Sequence, residues 1–257
     1  MIYINSFICF YINYFYYLLL LYDYMINNKI IITIFVIIFV IICINYNNIF
    51  LTYAKIFRPE FYNPIFLPEL YPLLLNKDII KEELYNALKT PINKIYRKNN
   101  EWSKSNNGKK FINKINNLEG WVYGWDNNDN IHENWLNFGL MYDNISLNAN
   151  SKICPKTCAI LKNIKGINIA GFSLIKGNSK IEEHIDSTGI DNNSLGIHFG
   201  LIIPESEKNK CFLIVNNKKI YEDNFKLFGL DSNYIHSAEN NSNEDRVILY
   251  IDKTIVD

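Results

Sequence analysis

This 257-residue chain has no excess of charge of either sign: Lys and Arg total 26, Asp and Glu total 26, and the formal net charge is zero. That balance excludes a nucleic-acid binder driven by phosphate neutralisation, which needs a basic face. A dinucleotide fingerprint, a phosphate loop and a nucleophile elbow are also missing, which makes most enzyme classes less probable as readings. Cysteine is sparse and unpatterned. Cys9 and Cys43 lie in the apolar N-terminal quarter, and Cys154 and Cys158 are separated by Pro155, Lys156 and Thr157. Without a second pair they form neither a zinc site nor a redox CxxC, and with Cys211 they read as ordinary thiols. At 49% hydrophobic and 20% charged, the chain is too apolar to be disordered throughout.

The apolar residues are concentrated at the start. Residues 1–57 carry only Asp23, Lys29 and Lys55 as acidic or basic groups. Within them Ile30 to Ile44 is apolar throughout except for Thr33. The run predicts a membrane span over about residues 30–46, with Tyr46 at the headgroup level and Lys29 snorkelling. A buried core helix would show a polar stripe, and this run has none. Phe7 to Tyr22, interrupted by Asn13, is a candidate second span, whereas initiation at Met25 would leave one. No small-residue cleavage site follows either stretch, so a cleaved signal peptide is not expected. The expectation is a single-pass or hairpin membrane anchor, with too few flanking charges to orient it.

From Arg58 the composition becomes that of a soluble globular protein. Pro59, Pro64, Pro68 and Pro72 mark an extended lead-in. Residues 78–88 read as a helix capped by Asp78, with Ile79, Ile80, Leu84 and Leu88 on one apolar side. Residues 97–117, rich in Lys and Asn, read as a solvated loop, either a plain polar insertion or a lysine patch for anionic headgroups. The layout expected is therefore an anchor over 1–57, a helical lead-in and polar loop over 58–117, and a β domain over 118–257. In that domain Ile169 to Ile175, Ile197 to Ile203, Cys211 to Val215 and Val247 to Ile251 are β-branched or aromatic runs. Polar turns separate them at intervals typical of sandwiches and jelly rolls.

Four histidines carry the chemistry that can be read. His132 lies in a polar stretch and is expected on a surface loop. His184 and Asp186 stand two apart, so in a strand both project to one face. With His236 near the start of a late strand as third ligand, they would form a two-His-one-carboxylate site. That donor set suits non-haem Fe(II), because one face of the metal stays open. Arg246 begins the apolar run Val247-Ile248-Leu249, where burying a guanidinium is costly unless a carboxylate pairs with it. A dicarboxylate co-substrate would supply that partner.

These residues resemble the aspartyl/asparaginyl β-hydroxylase family of Fe(II)- and 2-oxoglutarate-dependent dioxygenases. The likeness is carried by Gly171-Phe172-Ser173, His184-Ile185-Asp186, His198-Phe199-Gly200-Leu201, Tyr234-Ile235-His236-Ser237-Ala238-Glu239-Asn240 and Asp245-Arg246-Val247-Ile248-Leu249-Tyr250. Upstream, Cys154-Pro155-Lys156-Thr157 resembles the family's Pro-x-Thr entry. The HxD form is most similar to the bacterial lipid A hydroxylase branch. The resemblance implies a mainly β fold, a double-stranded β-helix (jelly roll, cupin-like) with helices at its start. It implies that His184, Asp186 and His236 bind Fe(II) and form the catalytic centre. It also implies that Arg246 and Ser173 hold the far carboxylate of 2-oxoglutarate, with His198 beside the metal-chelating carboxylate and O2 as the other co-substrate. The reaction implied hydroxylates a C–H bond of an Asp or Asn side chain in a peptide or protein, or of a lipid acyl chain.

One position departs from the pattern. The family's Arg two residues before His198 is Gly196 here, which implies either weaker 2-oxoglutarate binding or a substitute cation, for which Lys180 is a candidate. The competing class is a membrane-tethered jelly-roll binding module without turnover.

Overall fold

A strand rich in β-branched residues needs partners at its edges, and in a computed structural model of the protein the runs expected as strands find them. The structure describes residues 32–38, 40, 56–63, 67–95, 106–125, 131–186, 194–206 and 209–254. The chain divides into two compact units, Met1–Thr52 and Tyr53–Asp257.

The first unit overturns the expected single-pass or hairpin anchor. Residues 32–38 and 40 are helical, and Ile34, Phe35, Val36, Ile37, Ile38 and Val40 are exposed. Among the described residues no helix is long and apolar enough to cross a membrane. The physical reason is length: a bilayer core needs about 20 helical residues, and even the whole apolar run Ile30 to Ile44 falls short of that. The remainder of that run, and the stretch 7–22, lie outside the described residues.

In the second unit, strand β1 (Phe61–Tyr62) and a short 3-10 turn lead into helices α1 (Tyr71–Leu75) and α2 (Lys77–Ala87). Helix α2 starts before Asp78, which sits in its first turn and is not its cap. It buries Ile80, Glu83, Leu84 and Ala87, while Leu88 is exposed. After β2 (Ile92–Asn93), residues 106–116 form helix α3 (Asn106–Asn116) where a solvated loop was expected. Three apolar residues, Phe111, Ile112 and Ile115, share one side of it. That stripe, set among Lys and Asn, is too short to stand out as periodicity. Strands β3 (Trp121–Trp125), β4 (Ile131–Tyr142) and β5 (Ile145–Ser146) follow, then helices α4 (Asn148–Ile153) and α5 (Pro155–Leu161). The Pro155-Lys156-Thr157 motif opens α5, where the buried Glu83 carboxylate accepts the backbone N–H groups of Lys156 at 2.9 Å and Thr157 at 2.7 Å. A carboxylate there satisfies two orphan amides and complements the helix dipole.

Eight strands then build the barrel: β6 (Ile167–Ile175), β7 (Ser179–His184), β8 (Ser194–Ile202), β9 (Cys211–Val215), β10 (Lys218–Tyr221), β11 (Leu227–Asp231), β12 (His236–Asn240) and β13 (Arg246–Thr254). The larger sheet runs β1-β11-β8-β13-β6-β4-β3-β2, with β5 on β4, and the smaller runs β10-β9-β12-β7. Strands β6, β8, β11 and β13 thus alternate along the chain with β7, β9, β10 and β12 of the opposite sheet. The alternation defines a jelly roll. The tight hairpin β9–β10 turns on Asn216 and Asn217, both at positive φ as a type I′ turn requires. Between the sheets, Ile175, Phe228 and Leu230 of the larger meet Leu213, Val215 and Ala238 of the smaller in one apolar cluster. Each of these side chains except Ala238 contributes roughly 1.5–3 kcal/mol on burial, enough to hold the faces together.

Candidate metal centre and its neighbouring ion pair

The small sheet places the histidines. Strands β7 and β12 are antiparallel neighbours with His184 directly opposite His236, and the ring centroids are 4.3 Å apart. The β12 register shifts between His236 and Ala238, a local irregularity of the kind that re-aims a side chain. Asp186 follows just beyond the end of β7, where its amide donates to the Ser232 carbonyl at 3.2 Å. Its Oδ1 lies 3.6 Å from His184 Nε2 and its Oδ2 3.6 Å from His236 Nε2. One potential ligand atom from each residue falls within 4.8 Å of the others.

The opposite ring nitrogens are pinned. His184 Nδ1 lies 2.7 Å from the Glu182 carbonyl and His236 Nδ1 lies 2.8 Å from the Tyr234 carbonyl. A carbonyl only accepts, so Nδ1–H donates in both rings, and Nε2 is the ring nitrogen turned toward the carboxylate in each. Tyr250 on β13 donates its hydroxyl to Asp186 Oδ2 at 2.9 Å. Burial disfavours the Asp186 charge, but hydrogen bonding and charge from His236, the His184 ring and the Tyr250 hydroxyl outweigh it and hold the carboxyl at about 2. Burial and the neighbouring His236 push His184 below its ordinary value. Burial also opposes the His236 charge, yet its bond to Asp186 lifts the ring above its ordinary value. An ionised carboxylate and two imidazole Nε2 atoms on one side of a point fit Fe(II).

A second charged group lies beside the first. Arg246 opens β13 almost fully buried, and Glu222, directly after β10, is equally so. Arg246 Nε donates to Glu222 Oε2 at 2.6 Å, and Nη2 donates to Oε1. His198 on β8 brings Nδ1 within 2.9 Å of the same Oε1. Burial works against the Glu222 charge, but Arg246 and the His198 hydrogen bond keep the carboxyl at about 2. The His198 ring packs edge-on to Tyr250 with centroids 5.5 Å apart, so Tyr250 touches both groups. The cation that the sequence assigned to a co-substrate carboxylate is therefore already paired within the protein. The donor set for the metal fits; the far-carboxylate anchor is satisfied without a ligand.

One cavity of about 210 Å³ is bordered by His184, Asp186, His236, Ser173, His198 and Arg246. All six site residues expected from the sequence thus come together. Ser173 Oγ accepts the Trp135 indole N–H at 3.0 Å. Away from the polar end the walls are mostly apolar, from Phe111, Ile112 and Ile115 of α3, Val122 of β3, and Phe138 and Met141 of β4, with Asn137 of β4 and Asp252 of β13 also lining the cavity. Two expectations fail. Lys180 is exposed, pairs with Glu182 at 3.0 Å and does not line the cavity, so it does not replace an arginine at position 196. His132 belongs to strand β4, not a surface loop, and its Nε2 meets the Lys180 carbonyl at 2.8 Å. A Cβ at Gly196 would come within 3.1 Å of Leu230 Cδ2 and 3.5 Å of Tyr250 Cε2, so neighbouring side chains fill the space a residue there would use.

Sequence reasoning missed Glu222 and Tyr250. That Arg246 needs a carboxylate was readable, but Glu222 sits in a polar turn region and resembles any surface acid.

The chain is similar in sequence to known proteins. A protein of Acanthamoeba polyphaga mimivirus is 30% identical over 193 residues, covering 72% of this chain and 65% of that protein. An ornithine lipid ester-linked acyl 2-hydroxylase of Rhizobium tropici is 31% identical over 118 residues, covering 46% of this chain and 41% of the enzyme. The aspartate beta-hydroxylase domain-containing protein 2 of Xenopus tropicalis is 28% identical over 138 residues, covering 50% of this chain and 35% of that protein. The chain thus spans less than two thirds of each of these relatives. Residues 75–254, which include the helices α2 to α5 and the whole barrel, match the profile of the aspartyl/asparaginyl beta-hydroxylases, and the chain belongs to that family.

Proposed function

We propose that the protein is an Fe(II)- and 2-oxoglutarate-dependent dioxygenase that hydroxylates a carbon of a lipid acyl chain. The observation that carries the reading is the His184–Asp186–His236 cluster, with both Nδ1 atoms pinned, at the polar end of a mostly apolar cavity. Bound Fe(II) would supply the dioxygen chemistry that side chains lack. The chain's own residues hold and orient. Asp186 stays ionised at neutral pH through its imidazole and Tyr250 contacts. The depressed proton affinity of His184 keeps its Nε2 available as a donor. Apolar side chains from α3, β3 and β4 would surround the reacting carbon.

The same walls favour an acyl chain over an aspartyl side chain. Among the described residues lining the cavity Arg246 is the one Lys or Arg, and Glu222 occupies it. A substrate carboxylate would be buried without a cation, which is costly. The relative from Rhizobium tropici, named for acyl 2-hydroxylation, supports the same choice.

The test supplies purified full-length protein with Fe(II) and 2-oxoglutarate. Separate arms contain acyl lipids and Asp- or Asn-containing peptides, and mass spectrometry follows the gain of one oxygen alongside succinate. Oxygen gain in the lipid arm with loss in His236→Ala is the expected result. Gain in the peptide arm alone would reverse the substrate choice, and binding without turnover would favour a non-catalytic jelly-roll module.

A further inference from the structure

Arg246 is the feature that the proposed function does not absorb. A dicarboxylate co-substrate uses its second carboxylate for tight binding only if a buried cation is free to receive it. Here Glu222 takes two guanidinium donors, from Nε and Nη2, and shares Oε1 with His198. All three side chains are buried, so water offers the displaced carboxylate little compensation. A carboxylate arriving from outside must displace Glu222 to reach the Nε and Nη2 donors.

We infer that Glu222 competes with the second carboxylate of the co-substrate for Arg246 and thereby sets co-substrate specificity. This inference rests on the proposed 2-oxo-acid reaction. The competition cancels much of the advantage that 2-oxoglutarate would hold over a 2-oxo acid with one carboxylate. His198 acts with Glu222, because its Nδ1 steadies the oxygen that Arg246 Nη2 also uses. Neutralising Glu222 would leave Arg246 in want of an anion and hand the advantage back to the dicarboxylate.

The experiment titrates 2-oxoglutarate and 2-oxobutyrate by calorimetry, without oxygen, into full-length protein loaded with Zn(II). In the wild type the two ligands should bind within about tenfold of each other, a difference of about 1.4 kcal/mol. In Glu222→Gln, 2-oxoglutarate should tighten at least about tenfold while 2-oxobutyrate stays within about threefold. A wild-type preference for 2-oxoglutarate above about a hundredfold overturns the inference without any variant, so it remains testable if Glu222→Gln misfolds. Equal tightening of both ligands in the variant, or of neither, also overturns it. If no 2-oxo acid binds the metal-loaded wild type, the proposed reaction itself fails and the inference falls with it. Binding of both ligands with an unmoved ratio leaves the reaction standing and removes only the role of Glu222.

Discussion

Asp186 and Glu222 each face a histidine, and each carboxyl is held at about 2, yet the two environments differ in kind. The Asp186 side chain is 23% exposed, and its partners are two imidazole nitrogens and a phenol. Glu222 is 2% exposed, and its partners are a guanidinium and one imidazole. The first group brings two ring nitrogens and a carboxylate oxygen within 4.8 Å of one another, as a metal would need. The second is turned inward, since the Glu222 carboxylate takes both Nε and Nη2 of the guanidinium. Equal depression of a carboxyl therefore does not identify a ligand site: what separates the two is whether the partners themselves still need something.

The comparison can be broken from either side. The largest effect is expected at the open group: His236→Ala should abolish Fe(II) or Zn(II) binding and all turnover with little change in folding, as read by equilibrium dialysis and denaturant unfolding. Asp186→Gly should retain more metal than His236→Ala, and equal, complete loss in both would mean that the carboxylate is as necessary as the imidazoles.

At the closed group the dominant effect should be on stability. Arg246→Ala strands a buried carboxylate and should cost about 3–5 kcal/mol, measured from the urea midpoint. Pairing it with Glu222→Leu should recover most of that loss. A wild-type-like midpoint for Arg246→Ala would show that the ion pair is not formed in solution.

Acid exposes the same group. The Glu222 carboxyl is depressed in the folded protein from an ordinary 4.5 to about 2. A depressed carboxyl contributes stability that is fully present above about pH 4.5 and lost as the pH falls from there through about 2. Unfolding midpoints taken across that window should drop more steeply for wild type than for Glu222→Gln, and parallel curves would remove Glu222 from the account. The smallest effect is expected at the residue that touches both groups. Tyr250→Phe removes one hydrogen bond to Asp186 and should weaken metal binding about 10- to 100-fold, with unfolding little changed.

What could be read in the sequence divides along the same line. Strands β6, β8, β9 and β13 were legible because they are continuous β-branched or aromatic runs buried by neighbours on both sides. Strand β7 carries a mostly polar sequence and was found through the chemistry of His184 and Asp186, not through its texture. The three expected metal ligands were picked out by placing His184 and Asp186 on one strand face; the structure brings them together with His236, although β7 ends at His184 and Asp186 lies just beyond it. Glu222 and Tyr250 were not, because their partners lie 24 and 64 residues away and only the barrel's strand order unites them. Helix α3 was missed because its apolar stripe is three residues among lysines and asparagines. The anchor failed on length, which a run without polar breaks tends to conceal.

The bonds from His184 and His236 to the carbonyls of Glu182 and Tyr234 have a kinetic consequence. Each carbonyl belongs to the residue two places earlier in the same chain segment, so the brace on each ring is local and needs no ion to form. A small metallodomain whose ligands assemble only around the ion folds and unfolds with it. A centre braced in this way would let a bound ion leave and another take its place while the barrel stays intact. Its exchange rate should follow the protonation of two imidazoles and one carboxylate, and chelation should empty the protein without melting it.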